Sequence, residues 1–305
     1  MKRALRWYDH VSINIFWLGI NVASGSITPV ILPYLVALFV SPEIKNTSLA
    51  TIRVVGLAVA MLVQPMAGMY SDRSTHRWGR RRPFILVGTL FNLLFLLIVG
   101  ASPLFVDSPL NQVTRAALGV GAAYVVLMVG IVLLQVSSNV GHGALQGLIP
   151  DLVPEEQRGR SSGVKAVMEL LPVFLVLFIG PLVDSGRVGV AIGIVMAAFL
   201  ITMLITLLAV HEEPLAQKPE GSVREPLLRL VALTAIFVAV TRAAVWLVGW
   251  AGRYLGSIGA DAATQVAVVG AAGLVGMAGS IFVGVYFGAL VWIGKQAGQQ
   301  RSLIW

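Results

Sequence analysis

Apolar residues run along this chain in long, almost unbroken blocks separated by short polar connections. They do not alternate with period two in segments of about ten residues, so the pattern predicts helices and excludes a membrane barrel. A helix needs about 20 apolar residues to cross the hydrocarbon core of a bilayer. Blocks of that size fall at 11–40, 48–71, 83–102, 117–149, 161–183, 187–210, 227–256 and 263–293. The prediction is an all-α polytopic membrane protein with eight spans. The longest polar break, His211 to Pro226, carries Pro214, Pro219 and Pro226 and separates six spans from two. It predicts a six-helix bundle over 1–210, a linker over 211–226 and a partial second bundle of two helices over 227–305.

Composition strengthens this picture. The chain is 57% hydrophobic and 12% charged, with a mean hydropathy of +0.86, whereas about a quarter of an ordinary soluble domain is charged. The formal charge of +8 lies in short connections between apolar blocks rather than along an exposed face, which argues for a lipid bilayer as partner and against nucleic acid. Lys2, Arg3, Arg6, the run Arg73 to Arg82, Arg158, Arg160, Lys165, Lys218, Arg224, Arg229, Lys295 and Arg301 fall on one set of alternate connections. The other set holds only Lys45, Arg53, Arg115, Arg187 and Arg253. The first set is therefore expected to be cytoplasmic, with both termini. The basic N-terminus precedes an apolar run too long for a signal peptide, so it begins the first span. There is no cysteine, which excludes disulfides, a thiol nucleophile and thiolate-bound metal. No nucleotide-binding glycine loop, zinc-protease motif or nucleophile elbow occurs, so neither an enzyme nor a cofactor or metal is expected.

Polar side chains inside the spans carry the candidate chemistry. In the first, Asn14, Trp17, Asn21, Ser24, Gly25 and Thr28 share an arc of about 100°, a face that lipid would penalise. Pro29 and Pro33 then interrupt the helix, a tolerated irregularity where a cavity or neighbouring helix satisfies the freed carbonyls. In the fourth, Gln135, Ser138, Asn139, His142 and Gln146 form a similar stripe of donors and acceptors suited to solute hydroxyls. Both faces admit two readings, a solute pocket or interhelical hydrogen bonding. In the fifth, Glu169 lies one turn from Lys165; it is either a static ion pair or a site of reversible proton uptake. Arg53 begins the second span on a face with Gly56, Gln64 and Gly68 and is expected to snorkel outward. In the seventh, Trp246 and Trp250 suit interfacial anchoring better than stacking on a sugar beside Arg242 and Arg253. The glycines of the eighth, Gly270 to Gly288, suit close helix packing.

The most distinctive stretch joins the second and third spans: Gly68-x-x-x-Asp72-Arg73 followed by Gly79-Arg80-Arg81-Arg82-Pro83-Phe84. It resembles the corresponding loop of the major facilitator superfamily, in the form found in the sucrose/glycoside–proton symporter branch. Gln146 to Gly163, with Pro150-Asp151 and Arg158-Gly159-Arg160, resembles the loop after the fourth helix of bacterial members. The resemblance is good to about residue 210 and weak from 227 on. There Gly288 occupies the acidic position of the repeated loop, and helices nine to twelve have no counterpart. It implies a secondary transporter of a small solute, a sugar or glycoside coupled to protons, working by alternating access and here truncated or split, in a bacterial inner membrane.

By this resemblance Gly68, Asp72, Arg73, Gly79, Arg80 and Arg81 form a cytoplasmic latch whose counterpart belongs partly to the missing helices. Asn21, Ser24, Gln135, Asn139, His142 and Gln146 are the expected solute pocket, and Glu169 the proton-coupling residue. A second membrane chain completing the bundle is one expected partner. The alternative is a transport-inactive scaffold or assembly subunit of a larger membrane complex.

Overall fold

The computed structural model describes residues 4–217, 223–279 and 282, and every regular element among them is a helix. Eight segments are long and apolar enough to cross a membrane: Trp7–Phe39, Pro42–Asp72, Arg82–Phe105, Ala122–Leu152, Glu155–Asp184, Val188–Ala209, Arg224–Ser257 and Ala262–Gly279. Each coincides with one apolar block of the sequence. The remainder of the last expected span, with Gly284 and Gly288, lies outside the described residues, as do Lys2, Arg3, Lys218, Lys295 and Arg301. The chain divides into two compact units, residues 1–221 and 222–305.

The first span is broken where its prolines fall. Helix α1 (Trp7–Ser26) passes through a π-helical turn, Ile27–Ile31, into α2 (Leu32–Phe39). Pro29 and Pro33 lack the N–H groups that would continue the α-helical ladder, and one extra residue per turn absorbs the loss. Helix α3 (Pro42–Asp72) forms the second span and α4 (Arg82–Ala101) the third.

A short helix absent from the sequence prediction, α5 (Leu110–Leu118), precedes α6 (Ala122–Leu145), so the fourth span starts later than the apolar run at 117 suggested. Gly119 at φ +72° separates the two. That left-handed residue ends a helix that Ala116, Ala117 and Leu118 alone would have continued. Helix α7 (Leu148–Leu152) completes the fourth span, and α8 (Arg158–Leu170) with α9 (Pro172–Asp184) forms the fifth, re-phased at Pro172. The sixth is α10 (Val188–Ala209).

In the first unit α1 packs on α8 and α10, and α6 packs on α3 and α4. Lipid offers apolar side chains no disadvantage, so contact depends on close fit. Small residues supply it. A Cβ at Gly143 would collide with the Gln64 carbonyl of α3, and one at Gly88 of α4 would stand 2.7 Å from the Gly141 backbone nitrogen. Phe16 and Phe199 fill the α1–α10 seam with ring centroids 5.2 Å apart. The second unit contains α11 (Arg224–Ser257) and the eighth span, with Trp250 stacked on Tyr254 at 5.5 Å.

Candidate functional site

Three polar constellations lie within the first unit. The first occupies its arginine-rich end. Arg81 is only 5% exposed, and each nitrogen of its guanidinium has a partner: Nε donates to Asp151 Oδ2 at 2.9 Å, Nη1 donates to Ser71 Oγ at 2.8 Å, and Nη2 pairs with Asp72. Arg80 pairs with the other oxygen of Asp151. Asp151 thus bridges two arginines, and Arg81 ties the end of the second span to the end of the fourth. Gly147 lies against the Arg81 guanidinium, where any Cβ would overlap it.

The same loop is held from behind by Glu212, just beyond the sixth span. Its Oε2 accepts the backbone N–H groups of Arg81 and Arg82 at 2.9 and 3.0 Å, capping α4. Free N–H groups and the positive end of the helix dipole favour a carboxylate there. Gly79, at φ +97°, turns the chain into this cap, and a Cβ on it would strike the Glu212 side chain. Burial nevertheless raises the Glu212 pKa above the ordinary carboxylate value, against the lowering effect of the two N–H bonds and Arg81. A polar cavity of about 900 Å³ opens beside this cluster, lined in part by Arg6, Asp9, Arg80, Asp151, His211 and Glu212.

The second constellation is a cavity of about 300 Å³ among the first four spans, at the lower end of the size range of small-molecule sites. Its polar lining comprises Ser24, Thr28, Arg53, Asn92, Gln135 and Ser138. Asn92, on α4, is 1% exposed and its Oδ1 has no hydrogen-bond partner among the described residues. Third, Lys165 of α8 holds its ammonium 3.9 Å from the centroid of the Trp17 ring, and that ring meets His142 edge-on at 4.9 Å. Glu169 stands 3.5 Å from Lys165. The Trp17 ring thus joins α1 to α8 through Lys165 and to α6 through His142.

The residues expected from sequence divide accordingly. Of the expected latch, Asp72, Arg80 and Arg81 enter one ion-pair cluster and Gly79 shapes its turn. Gly68 sits at the α3–α6 crossing, close to Gly143, and Arg73 stands half-buried at the end of α3. Of the expected pocket, Ser24 and Gln135 line the 300 Å³ cavity and His142 joins the Lys165–Trp17 group. Asn21 donates back to the Trp17 carbonyl at 2.9 Å and Asn139 to the Gln135 carbonyl at 2.8 Å, while Gln146 is exposed at the end of α6. Asn14 is engaged elsewhere: it donates to His10 O and to Ser161 of α8. Lys165 and Glu169 lie as close as either reading of that pair requires.

Sequence reasoning left out Asp151, Glu212 and Asn92 as site residues. Asp151 carried a signal, following Pro150 inside the second resembling segment. Glu212 lay in an acidic linker and Asn92 was a lone amide in an apolar span, so neither stood out.

With every regular element among the described residues a helix, and eight of those segments long and apolar enough to cross a membrane, the chain is an integral multi-pass membrane protein. It belongs to the Major Facilitator Superfamily, whose profile matches residues 15–295. Within that family it is similar to sucrose and glucoside carriers. A sucrose transport protein of Arabidopsis thaliana is 31% identical over 162 residues, 49% of this chain and 27% of the relative. The general alpha-glucoside permease of Schizosaccharomyces pombe is 30% identical over 213 residues, 66% of this chain and 37% of the relative. The human solute carrier family 45 member 4 is 32% identical over 111 residues, 35% of this chain and 14% of the relative. The chain matches less than two fifths of the length of each of these relatives.

Proposed function

We propose that this chain is part of a secondary active transporter that moves a sugar or glycoside by alternating access, coupled to protons, and that it is not an enzyme. Residues 1–210 act as the six-helix half, 211–226 as its linker and 227–305 as a partial second bundle. The observation that carries the reading is the convergence of polar faces: Ser24 on the first span and Gln135 on the fourth line one cavity, with Arg53 and Asn92 beside them. Amide, hydroxyl and guanidinium groups there supply both the donors and the acceptors that a polyhydroxylated solute needs. Sucrose and alpha-glucosides are named for the relatives, and a neutral sugar is the simplest solute for such a lining.

At the arginine-rich end, Asp72, Arg80, Arg81 and Asp151 serve as the cytoplasmic latch, with Gly79 shaping its turn, Arg73 at the end of α3 and Gly68 at the α3–α6 crossing. Glu169, held beside Lys165, exchanges the coupling proton when that pair opens.

The test uses the whole chain in proteoliposomes with an inward proton gradient and labelled sucrose or maltose. Accumulation above protein-free vesicles, abolished by a protonophore, is expected. Vesicles that accumulate neither sugar refute the proposal.

A further inference from the structure

Arg53 holds a backbone group that Pro33 leaves without a donor. In the π-helical turn Ile27–Ile31 each carbonyl looks to the residue five positions on, and the Leu32 N–H indeed bonds Ile27 O. The partner so assigned to Thr28 O is Pro33, which has no N–H. Arg53 Nη2 of the second span donates to Thr28 O instead, at 3.3 Å. Thr28 and Arg53 both line the 300 Å³ cavity, along with Asn92 and its unpartnered, buried Oδ1.

Arg53 lies eleven residues into its helix, about 16 Å from the end. Among the described residues no carboxylate is salt-bridged to it. Arg53 is an exposed residue that lines the cavity, and its bond to Thr28 O uses one of the five N–H donors a guanidinium carries. A Cβ at Gly56, one turn along, would stand 3.3 Å from the Gln135 side chain; its absence leaves Gln135 room beside Arg53.

We propose that Arg53 binds the solute in this cavity and couples its arrival to the winding of the first span, an inference that rests on the transporter reading. A solute oxygen takes the guanidinium from Thr28 O, while Asn92 Oδ1 accepts a solute hydroxyl. Thr28 O, released, accepts the Leu32 N–H four residues on, and Ile27 O accepts the Ile31 N–H. The π-helical turn thereby becomes α-helical without a net loss of backbone hydrogen bonds, and α2 rotates and shifts relative to α1. The exchange is possible because one carbonyl is held from outside its own helix.

The chain has no cysteine, so spin labels can be placed on it singly. Labels at Leu38→Cys on α2 and Leu97→Cys on α4, both exposed positions, report the rotation as an inter-label distance in the reconstituted full chain, with sucrose and maltose as probes. Sugar is expected to change the distance by a few ångström. Arg53→Gln is expected to weaken sugar binding about tenfold and to show the changed distance without sugar. Pro33→Ala restores an N–H opposite Thr28 O, and is expected to retain binding while losing the sugar-dependent change; it also serves if Arg53→Gln does not fold.

Sugar binding that survives Arg53→Gln undiminished overturns the inference and leaves the transporter reading standing. A distance indifferent to sugar overturns the coupling. Native protein that neither binds nor moves either sugar overturns both.

Discussion

The carboxylate of Glu212 accepts the backbone N–H of Arg81 at 2.9 Å across 131 positions of the chain, so the start of the linker is pinned to the loop between the second and third spans. Burial raises the Glu212 pKa, which means that the folded state binds its proton more tightly than the unfolded chain does. The stability this group contributes is therefore full below the ordinary value of 4.5 and falls as pH rises through the higher folded value. Glu212→Gln keeps an oxygen for both N–H groups without a charge to desolvate. Melting temperatures in detergent between pH 4 and 8 should show a decline in the native chain that is flattened in Glu212→Gln. Parallel curves would refute the assignment.

The two carboxylates on Arg81 should not be equivalent. The Asp151 side chain is 17% exposed and Asp72 51%. Removing Asp151 leaves a buried guanidinium short of its better-shielded partner, a loss on the order of 3 kcal/mol, whereas the exposed Asp72 pair is worth about 1 kcal/mol or less. Asp151→Asn is expected to lower the unfolding midpoint well beyond Asp72→Asn. Equal effects would show that burial does not set the hierarchy.

Gly147→Ala provides a steric test of the same seat. The added methyl overlaps the Arg81 guanidinium, and forcing such a contact costs roughly 1–3 kcal/mol. In an Arg81→Ala background the methyl has room, so the two substitutions should be far from additive in a thermal double-mutant cycle. Simple additivity would place Arg81 away from Gly147.

The spans were legible because lipid imposes one rule on every helix, a continuous apolar run, and runs of that kind survive without knowledge of what packs against what. The break at Pro29 and Pro33 was legible for a covalent reason, although its π-helical form was not. The start of the fourth span was misjudged because Ala116, Ala117 and Leu118 are as apolar as the helix that follows, and only the backbone angle at Gly119 separates them. The basic loop announced a cluster around Asp72, but Asp151 and Glu212 reach Arg81 from 70 and 131 positions away, a closure that no local pattern encodes. In the cavity, Ser24 and Gln135 stood on visible polar stripes. Asn92, a single amide among leucines, becomes notable only when its buried oxygen is seen to lack a partner.

The Lys165–Trp17 contact should matter beyond charge. An ammonium 3.9 Å from an indole centroid gains about 0.5–1 kcal/mol at a partly exposed site. Trp17→Leu removes the π face, whereas Trp17→Phe keeps a weaker one. A graded loss of thermal stability, Leu greater than Phe, is expected, and it should be smaller by that amount in a Lys165→Gln background, the remainder being the packing of a side chain only 4% exposed. Equal losses in both backgrounds would make Trp17 a packing residue only.

Glu169 decides between the two readings of its pair with Lys165. An exposed i,i+4 pair contributes only about 0.3–0.5 kcal/mol, and these two side chains, 31% and 37% exposed, are close to that limit. Glu169→Gln should therefore leave the melting temperature almost unchanged whichever reading holds, and transport supplies the discrimination. If Glu169 carries the coupling proton, Glu169→Gln abolishes gradient-driven sucrose or maltose accumulation but retains exchange of labelled for unlabelled sugar across the vesicle, because exchange needs the solute site and not the proton. If the pair is static, accumulation survives the substitution. Loss of exchange together with accumulation would show that Glu169 is needed for solute binding or for the movement of the loaded carrier, and not for proton coupling alone.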